Sequence, residues 1–333
     1  MHELPVLLGF AFAVIIMSVA SVHLTTALEC IGARMRFSDG LLGVVTALGA
    51  DAPEICSALT ALMAGQQDVG VGVVIGSNIF NLAALLGLSA IVAGQVQIGR
   101  QGLWLNGGVG LIVSLLVVAL LLRWLPIAGT LWLMALVLVP YVALLAMHPK
   151  RIAGLGLPHV AARFLEAAVG HAHRDARQRR LLQHPPWHDV LRLVLALAMV
   201  VAASVGAVRS AVWLGDRWGI SQAIVGMLVL SALTSVPNVI AAVQLAREGR
   251  GAAVVSESLN SNTLNILAGL CLPAVLLGLT PISGLVEFAV FWLLTMKLVA
   301  LAASSRKAGL QRSGGVLLVA LYLVFAVVVL VRS

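Results

Sequence analysis

Residues 46–88 read TALGADAPEICSALTALMAGQQDVGVGVVIGSNIFNLAALLGL, and residues 230–272 read LSALTSVPNVIAAVQLAREGRGAAVVSESLNSNTLNILAGLCL. Sliding the chain by 184 residues, from 46 to 230, lays one on the other without a gap. Pro53 then falls on Pro237, Gly65 on Gly249, and Ser77, Asn78 and Asn81 on Ser261, Asn262 and Asn265. Each copy sets a proline, small residues and oxygen-bearing side chains inside an otherwise apolar run.

The apolar surroundings are a lipid bilayer. The 333-residue chain is 61% hydrophobic and 10% charged, against roughly 25% charged in soluble domains. Its mean hydropathy is +1.05. That balance excludes an ordinary soluble enzyme and a disordered chain. A helical span needs about 20 mostly apolar residues. Ten stretches qualify, at approximately 4–32, 40–64, 70–94, 102–122, 127–147, 188–215, 220–246, 252–279, 284–303 and 314–331. The first has neither a basic leader nor a small-residue cleavage site, so it reads as a retained helix and not a signal peptide. The polar stretch 148–187 divides five spans from five.

The expected fold is an all-α polytopic membrane protein of ten transmembrane helices. They form two five-helix repeats, 1–147 (motif region 43–88) and 188–333 (motif region 227–272), joined by a cytoplasmic basic linker at 148–187. The repeat offset spans five helices, an odd number, so the two copies are inverted. Inverted repeats typify secondary transporters, whose site lies near the midplane where the copies meet.

Charge sets the expected orientation. The net charge is +8, from 21 basic and 13 acidic residues. With both termini outside, the cytoplasmic loops hold Arg34, Arg36, Arg100, Lys150, Arg151, Arg163, Arg174, Arg177, Arg179, Arg180, Arg247, Arg250, Arg306, Lys307 and Arg312. The outer side keeps Arg123, Arg217 and Arg332, with Arg209 near it. Such a bias places the N- and C-termini outside. The excess charge thus reports orientation, and no nucleic-acid partner is expected. The linker histidines His148, His159, His171, His173, His184 and His188 show no repeating ligand spacing, so they read as a solvated basic segment beside anionic lipid. Val160, Phe164, Leu165 and Val169 fall at helical spacing and fit an amphipathic helix on the inner leaflet. Cys30, Cys56 and Cys271 lie in apolar stretches and imply neither a disulfide framework nor a zinc site.

The polar residues inside the spans form faces. In span 2, Ala47, Ala50, Asp51 and Glu54 share one helix face around Pro53. In span 7 the matching face is Ser231, Thr234, Ser235 and Asn238 around Pro237. Ser77 and Asn81 are four apart in span 3, as are Ser261 and Asn265 in span 8. Glu257 extends the last stripe by a turn. Each proline implies a broken or kinked span whose freed carbonyls can face a cavity. Carboxylate, hydroxyl, amide and carbonyl oxygens are hard ligands, suited to Ca²⁺, Na⁺ or Mg²⁺. A mid-span carboxylate costs several kcal/mol unless paired or hydrated, so Asp51 and Glu54 carry the strongest functional signal. Glu287 and Lys297 in span 9, His23 and Glu29 in span 1, and Cys56 read as interface, helix-contact or packing residues.

The Pro-Glu helix followed by Gly76-Ser77-Asn78-Ile79-Phe80-Asn81, repeated in inverted form over ten spans, resembles the cation/calcium exchanger superfamily, which includes the sodium/calcium exchangers. The resemblance implies two long gating helices, spans 1 and 6, against a core of the other eight. It implies alternating access, with ions bound between spans 2, 3, 7 and 8. The family pattern G-T-S-x-P-E falls on Gly49-Ala50-Asp51-Ala52-Pro53-Glu54, keeping the glutamate but replacing Thr by Ala50 and Ser by Asp51. Its second copy falls on Leu233-Thr234-Ser235-Val236-Pro237-Asn238, where the second acid has become Asn238. Position 265, often Asp in relatives, is Asn265.

The expected function is a secondary antiporter that exchanges a divalent cation, Ca²⁺ first, for Na⁺ or H⁺. Metal ligands are expected among Glu54, Asp51, Ala47, Ala50, Ser77, Asn81, Ser231, Thr234, Ser235, Asn238, Ser261 and Asn265, with Glu257 as an accessory. Asp51 and Glu54 are close enough in a low-dielectric site that one would hold a proton when no cation is bound, making H⁺ a candidate coupling ion. Alternatives are an exchanger of Mg²⁺ or Mn²⁺ and a cation-binding homologue that no longer transports. A channel is disfavoured by the two unlike repeats, and an enzyme by the lack of a catalytic motif. No covalent cofactor and no obligate protein partner are expected. The short loops and Ala/Arg-rich composition point to a prokaryotic inner membrane.

Overall fold

The computed structural model describes residues 3–35, 37, 39–97, 99–147, 152, 154, 158–172, 185–306 and 308–332. His148, Lys150, Arg151, His173, Arg174, Arg177, Arg179, Arg180 and His184 of the linker lie outside the described residues, as do Arg36 and Lys307.

In lipid a spanning segment must satisfy its backbone internally, so the apolar runs become helices. They are α1 (Glu3–Arg34), the pair α2 (Asp39–Ala50) and α3 (Ala52–Met63), α4 (Gln67–Ala93), α5 (Arg100–Leu121) and α6 (Ile127–Ala146). A short helix, α7 (His159–Ala172), follows in the linker and packs on α2, α5 and α10. The second half holds α8 (Pro186–Trp218), α9 (Gln222–Arg247), α10 (Gly251–Leu277), α11 (Gly284–Ser304) and α12 (Arg312–Val331). Among the described residues nine helices are long and apolar enough to cross a membrane, and the bent pair α2–α3 makes a tenth span. A two-residue antiparallel ladder, β1 (Gln95–Val96) with β2 (Leu310–Gln311), ties the end of α4 to the start of α12.

The inversion is visible in two contacts. α1 and α8 are counterparts in the two repeats, and they pack along their length as antiparallel neighbours. Arg34 at the end of α1 pairs with Asp189 at the start of α8 at 2.8 Å, and Arg217 at the end of α8 pairs with Glu3 at the start of α1 at 3.1 Å. In the core, the Asn78 amide donates to the Asn262 carbonyl and the Asn262 amide donates to the Asn78 carbonyl, both at 3.1 Å. These residues are repeat mates, so the two bonds are one contact related by a pseudo-twofold axis. N78A and N262A are each expected to cost about 0.5–1.5 kcal/mol, because each removes one buried side-chain hydrogen bond to a helix carbonyl of the other repeat. Thermal unfolding in detergent checks this: the two losses should match, and a loss in only one variant would break the equivalence.

α4 and α9 meet backbone to backbone. A Cβ at Gly76 would stand 2.6 Å from Met227 Cα, and one at Gly226 would stand 3.0 Å from Val69 Cα. Small residues at both points let the two core helices approach this closely.

The prolines behave differently in the two repeats. In the first, the chain breaks at Asp51, and Leu41–Ala50 meets Ala52–Met63 at 55°. Pro53 has no N–H for the Gly49 carbonyl. The Ser21 hydroxyl of α1 supplies a donor instead, at 3.1 Å from Gly49 O and 3.2 Å from Ala50 O. In the second, α9 runs through Pro237 as continuous helix. A π-helical stretch, Val225–Leu230, ends about two turns before Pro237.

Candidate cation-binding site

Four core segments converge on Asp51 and Glu54, both fully buried. Asp51 sits at the break between α2 and α3, and Glu54 lies in the first turn of α3. A helix N-terminus favours negative charge. From α9, Ser235 Oγ donates to Glu54 Oε1 at 2.8 Å. Asn238 Nδ2 donates to Asp51 Oδ1 at 3.1 Å and reaches Glu54 Oε1 at 3.5 Å. From α10, Ser261 Oγ donates to Asp51 Oδ1 at 2.6 Å, and it accepts from Asn81 Nδ2 of α4 at 3.3 Å. The carboxylates of one repeat are thus held by side chains of the other.

These bonds leave oxygens over. Asp51 Oδ2, Glu54 Oε2, Asn81 Oδ1 and Asn265 Oδ1 are buried and have no donor. Buried polar atoms are ordinarily bonded; a cation would satisfy these carboxylate and amide oxygens, while the Asn265 amide nitrogen is also buried without a partner. The remaining hydroxyls donate to their own helices: Ser77 to Val74 O at 3.1 Å, Thr234 to Leu230 O at 2.9 Å, and Ser231 to Met227 O. Their lone pairs stay available as neutral ligands. Ala47 and Ala50 offer only carbonyls. Ala47 O accepts the Asp51 N–H at 2.9 Å, and Ala50 O accepts Ser21.

Hydrogen bonds therefore link Asp51, Glu54, Asn81, Ser235, Asn238 and Ser261 into one cluster. Ser77, Ser231, Thr234 and Asn265 are buried one turn away on the same helices. Glu257 is half-buried, one turn before Ser261, and is not bonded into the cluster. No group of three or more His, Cys, Asp or Glu suited to a metal occurs among the described residues, so the site combines two acids with neutral oxygens.

Sequence reasoning missed two features of the site. One is Ser21, an α1 hydroxyl that caps the broken helix. The other is local winding. A π-helical stretch, Leu82–Leu88, begins immediately after Asn81, and its repeat counterpart, Leu267–Cys271, begins two residues after Asn265. With Val225–Leu230 ahead of Ser231 and the break at Asp51, each of the four spans that carry the cluster departs from α geometry beside its polar residues. Such π segments cluster at functional sites. The available signal was only a run of small and apolar residues after each motif, Leu82-Ala83-Ala84 and its mates Ile266-Leu267-Ala268.

Outside the cluster, Glu287 is exposed, and His23 is exposed and bonded to Arg192 at 2.6 Å. Cys56 is half-buried against the core. Lys297 is buried and bonded to α5.

The "Putative antiporter CaxA" of Alkalimonas amylolytica is 26% identical over 257 residues, covering 72% of this chain and 70% of that protein. The "Sodium/potassium/calcium exchanger 1" of Gallus gallus is 34% identical over 122 residues, 34% of this chain but only 18% of that longer protein. The crystal structure of the "H+/Ca2+ Exchanger CAX" superposes with a TM-score of 0.71 over 98% of this chain and 86% of that one, at 13% identity. That match is of fold. The pattern of the family described as "Sodium/calcium exchanger protein" matches residues 5–148 and 188–331. A multi-pass helical chain matched over both halves by that pattern belongs to the sodium/calcium exchanger family of cation antiporters.

Proposed function

We propose that the chain carries a divalent cation, Ca²⁺, against Na⁺ or H⁺ by alternating access at the Asp51–Glu54 cluster. The observation that carries this reading is the pair of fully buried carboxylates, each with one donorless oxygen, beside the donorless amide oxygens of Asn81 and Asn265. Two negative charges balance one divalent cation. Carboxylate, amide and hydroxyl oxygens in an adaptable shell suit Ca²⁺ better than the smaller, geometrically demanding Mg²⁺. The ligand set is Glu54, Asp51, Ser77, Asn81, Ser231, Thr234, Ser235, Asn238, Ser261 and Asn265 with the carbonyls of Ala47 and Ala50. Glu257 lies toward the cytoplasmic side and attracts cations into it. The repeats are residues 1–147 and 188–333, and the termini lie outside. The linker faces the anionic lipid of a prokaryotic inner membrane. α1 and α8, bonded to each other at both ends, move as one gate over the core.

Asn238 supports an exchange mechanism of its own. Without a cation its amide nitrogen touches both carboxylates and offsets part of their charge. An arriving cation takes over that task, and a turn of the amide group presents Oδ1 as a ligand. N238E replaces the donor by a third acid and is expected to change ion preference, adding a monovalent cation or proton per cycle. Unchanged selectivity in competition assays would mean residue 238 does not face the ion.

The test is a counter-ion panel in proteoliposomes. Ca²⁺, Mg²⁺, Mn²⁺ and Na⁺ are each offered against Na⁺ or H⁺ gradients. Obligatory exchange predicts Ca²⁺ flux that accelerates when a counter-ion is present on the opposite side. Flux indifferent to the opposite side would indicate a channel, and Ca²⁺ binding without flux would indicate a transport-dead homologue.

A further inference from the structure

Behind the cation cluster lies a second polar system that the mechanism above does not use. Its end point is Lys297 in the middle of α11, buried to 2% exposure. Lys297 Nζ donates to Gly110 O at 3.0 Å and to Ser114 Oγ at 2.6 Å, both on α5. Ser114 in turn donates to Gly110 O at 2.8 Å. Gly110 makes the room, since a Cβ there would lie 3.7 Å from Nζ and 3.5 Å from Thr263 Oγ1 of α10. No carboxylate pairs with Lys297 among the described residues.

An unpaired cation inside a membrane is costly and marks function by default. The bonding here fits the neutral amine. An ammonium has three donors, whereas an uncharged amine has two. Lys297 has two acceptors, so the amine is satisfied and its lone pair is left over.

A polar lane leads away from it. Asn106, Gly110 and Ser114 stand four apart on one face of α5, opposite Ser256, Asn260 and Thr263 of α10. Tyr141 of α6 joins the two faces, with its hydroxyl 2.9 Å from Asn106 Oδ1 and 2.5 Å from Asn260 Oδ1. Asn260 Nδ2 continues to Ser256 Oγ at 3.2 Å. Ser256 lies in the second turn of α10, close to its start at Gly251. The lane runs along α10 away from the cation cluster, because Thr263 is two residues from Ser261, about 200° around the helix.

We propose that Lys297 is a proton-binding site of the exchange cycle, separate from the cation cluster and coupled to it through α10. The amine lone pair takes one proton from water on one side of the membrane and forms an ammonium. The same proton leaves to water on the other side, restoring the amine, and no electrons move. The ammonium needs a third acceptor, so protonation favours a state in which water enters the lane. Cation binding at Asp51 and Ser261 favours the dry packing of the same helix. Two ligands that bias one element in opposite directions are exchanged for each other.

The other titratable groups on the helices around Lys297 lie outside its hydrogen bonds. Its own helix carries only Glu287, about 15 Å away along the axis. α5 contributes Arg100 at its start, α4 contributes Asp68 at its start, and α12 contributes Arg312, Tyr322 and Arg332. α10 contributes Glu257 and Cys271. None of them is bonded to Lys297.

The inference rests on the antiporter reading, and the experiment separates the two. Proteoliposomes of wild type, K297M, K297R and K297H are assayed for ⁴⁵Ca²⁺/Ca²⁺ self-exchange and for Ca²⁺ uptake driven by a pH gradient without Na⁺. Wild type should show both. K297M should keep self-exchange within about threefold and lose at least about tenfold of the pH-driven uptake, the size of a typical coupling. K297R should fail in the same way, because arginine does not release its proton. K297H should restore pH-driven uptake with an optimum moved toward acid. Wild-type pH-driven uptake in K297M, or rescue by K297R, overturns the proposal, as does a wild type driven by Na⁺ alone. Parallel loss of self-exchange in K297M and K297H would show a structural role and also overturns it. Absence of any divalent exchange in wild type defeats the antiporter reading itself, and this proposal with it.

Discussion

Glutamine in place of Glu54 is expected to abolish divalent-cation transport while leaving the protein folded. The substitution keeps the size of the side chain and an oxygen that can accept from Ser235 at the position now 2.8 Å away. What it removes is one of the two buried charges in the cluster. Losing one member of a buried, charge-compensated set costs about 3 kcal/mol or more, which is on the order of 100-fold in affinity. Ca²⁺ uptake into proteoliposomes should therefore fall to background, with the melting temperature in detergent close to that of wild type. Uptake at the wild-type rate would remove Glu54 from the site. A variant that fails to fold would instead make it structural.

The second large effect is expected at Gly76, from packing alone. Its Cα hydrogen faces the backbone of Met227, so a methyl group there has no flexible side chain to displace. G76A must push α4 and α9 apart. Overpacking a core costs about 1–3 kcal/mol or more, and here the two helices also hold Asn81, Ser235 and Asn238 in register. The expected result is a sharp drop in folded, monodisperse protein after detergent extraction, and no uptake from what remains. G72A is the control. A Cβ at Gly72 stands 3.2 Å from Met227 Cγ and its backbone nitrogen, a tighter fit than usual but one that small shifts can absorb, so it should be much the milder of the two. Equal yields from G76A and wild type would contradict the backbone-to-backbone approach.

Most of the fold was legible because a bilayer simplifies the physics. Apolar length marks spans, and a repeat across an odd number of spans marks inversion. The cluster was legible for a related reason. Asp51 and Glu54 are expensive in lipid, and Ser77, Asn81, Ser261 and Asn265 recur at equal spacing in both copies. The details that escaped depend on contacts between helices. Pro53 and Pro237 look alike in the chain, yet only the first breaks its helix, where Ser21 of α1 satisfies the freed carbonyls. The π-helical stretches beside Asn81 and Asn265 have no residue signature beyond small and apolar side chains. Asn238 reads in sequence as a lost acid, whereas its amide in fact contacts both remaining acids. Lys297 reads as an interface or helix-contact residue. Only its packing against Gly110 and Ser114 shows that it stays inside.

Equilibrium binding of ⁴⁵Ca²⁺ to the purified protein in detergent tests the central claim most directly, because it reads the site apart from transport. Wild type should bind one Ca²⁺ per chain saturably, in competition with Na⁺ or H⁺. D51N/E54Q should elute and melt like wild type and bind none. Saturable binding by that double variant with wild-type affinity would place the ion elsewhere and contradict the account.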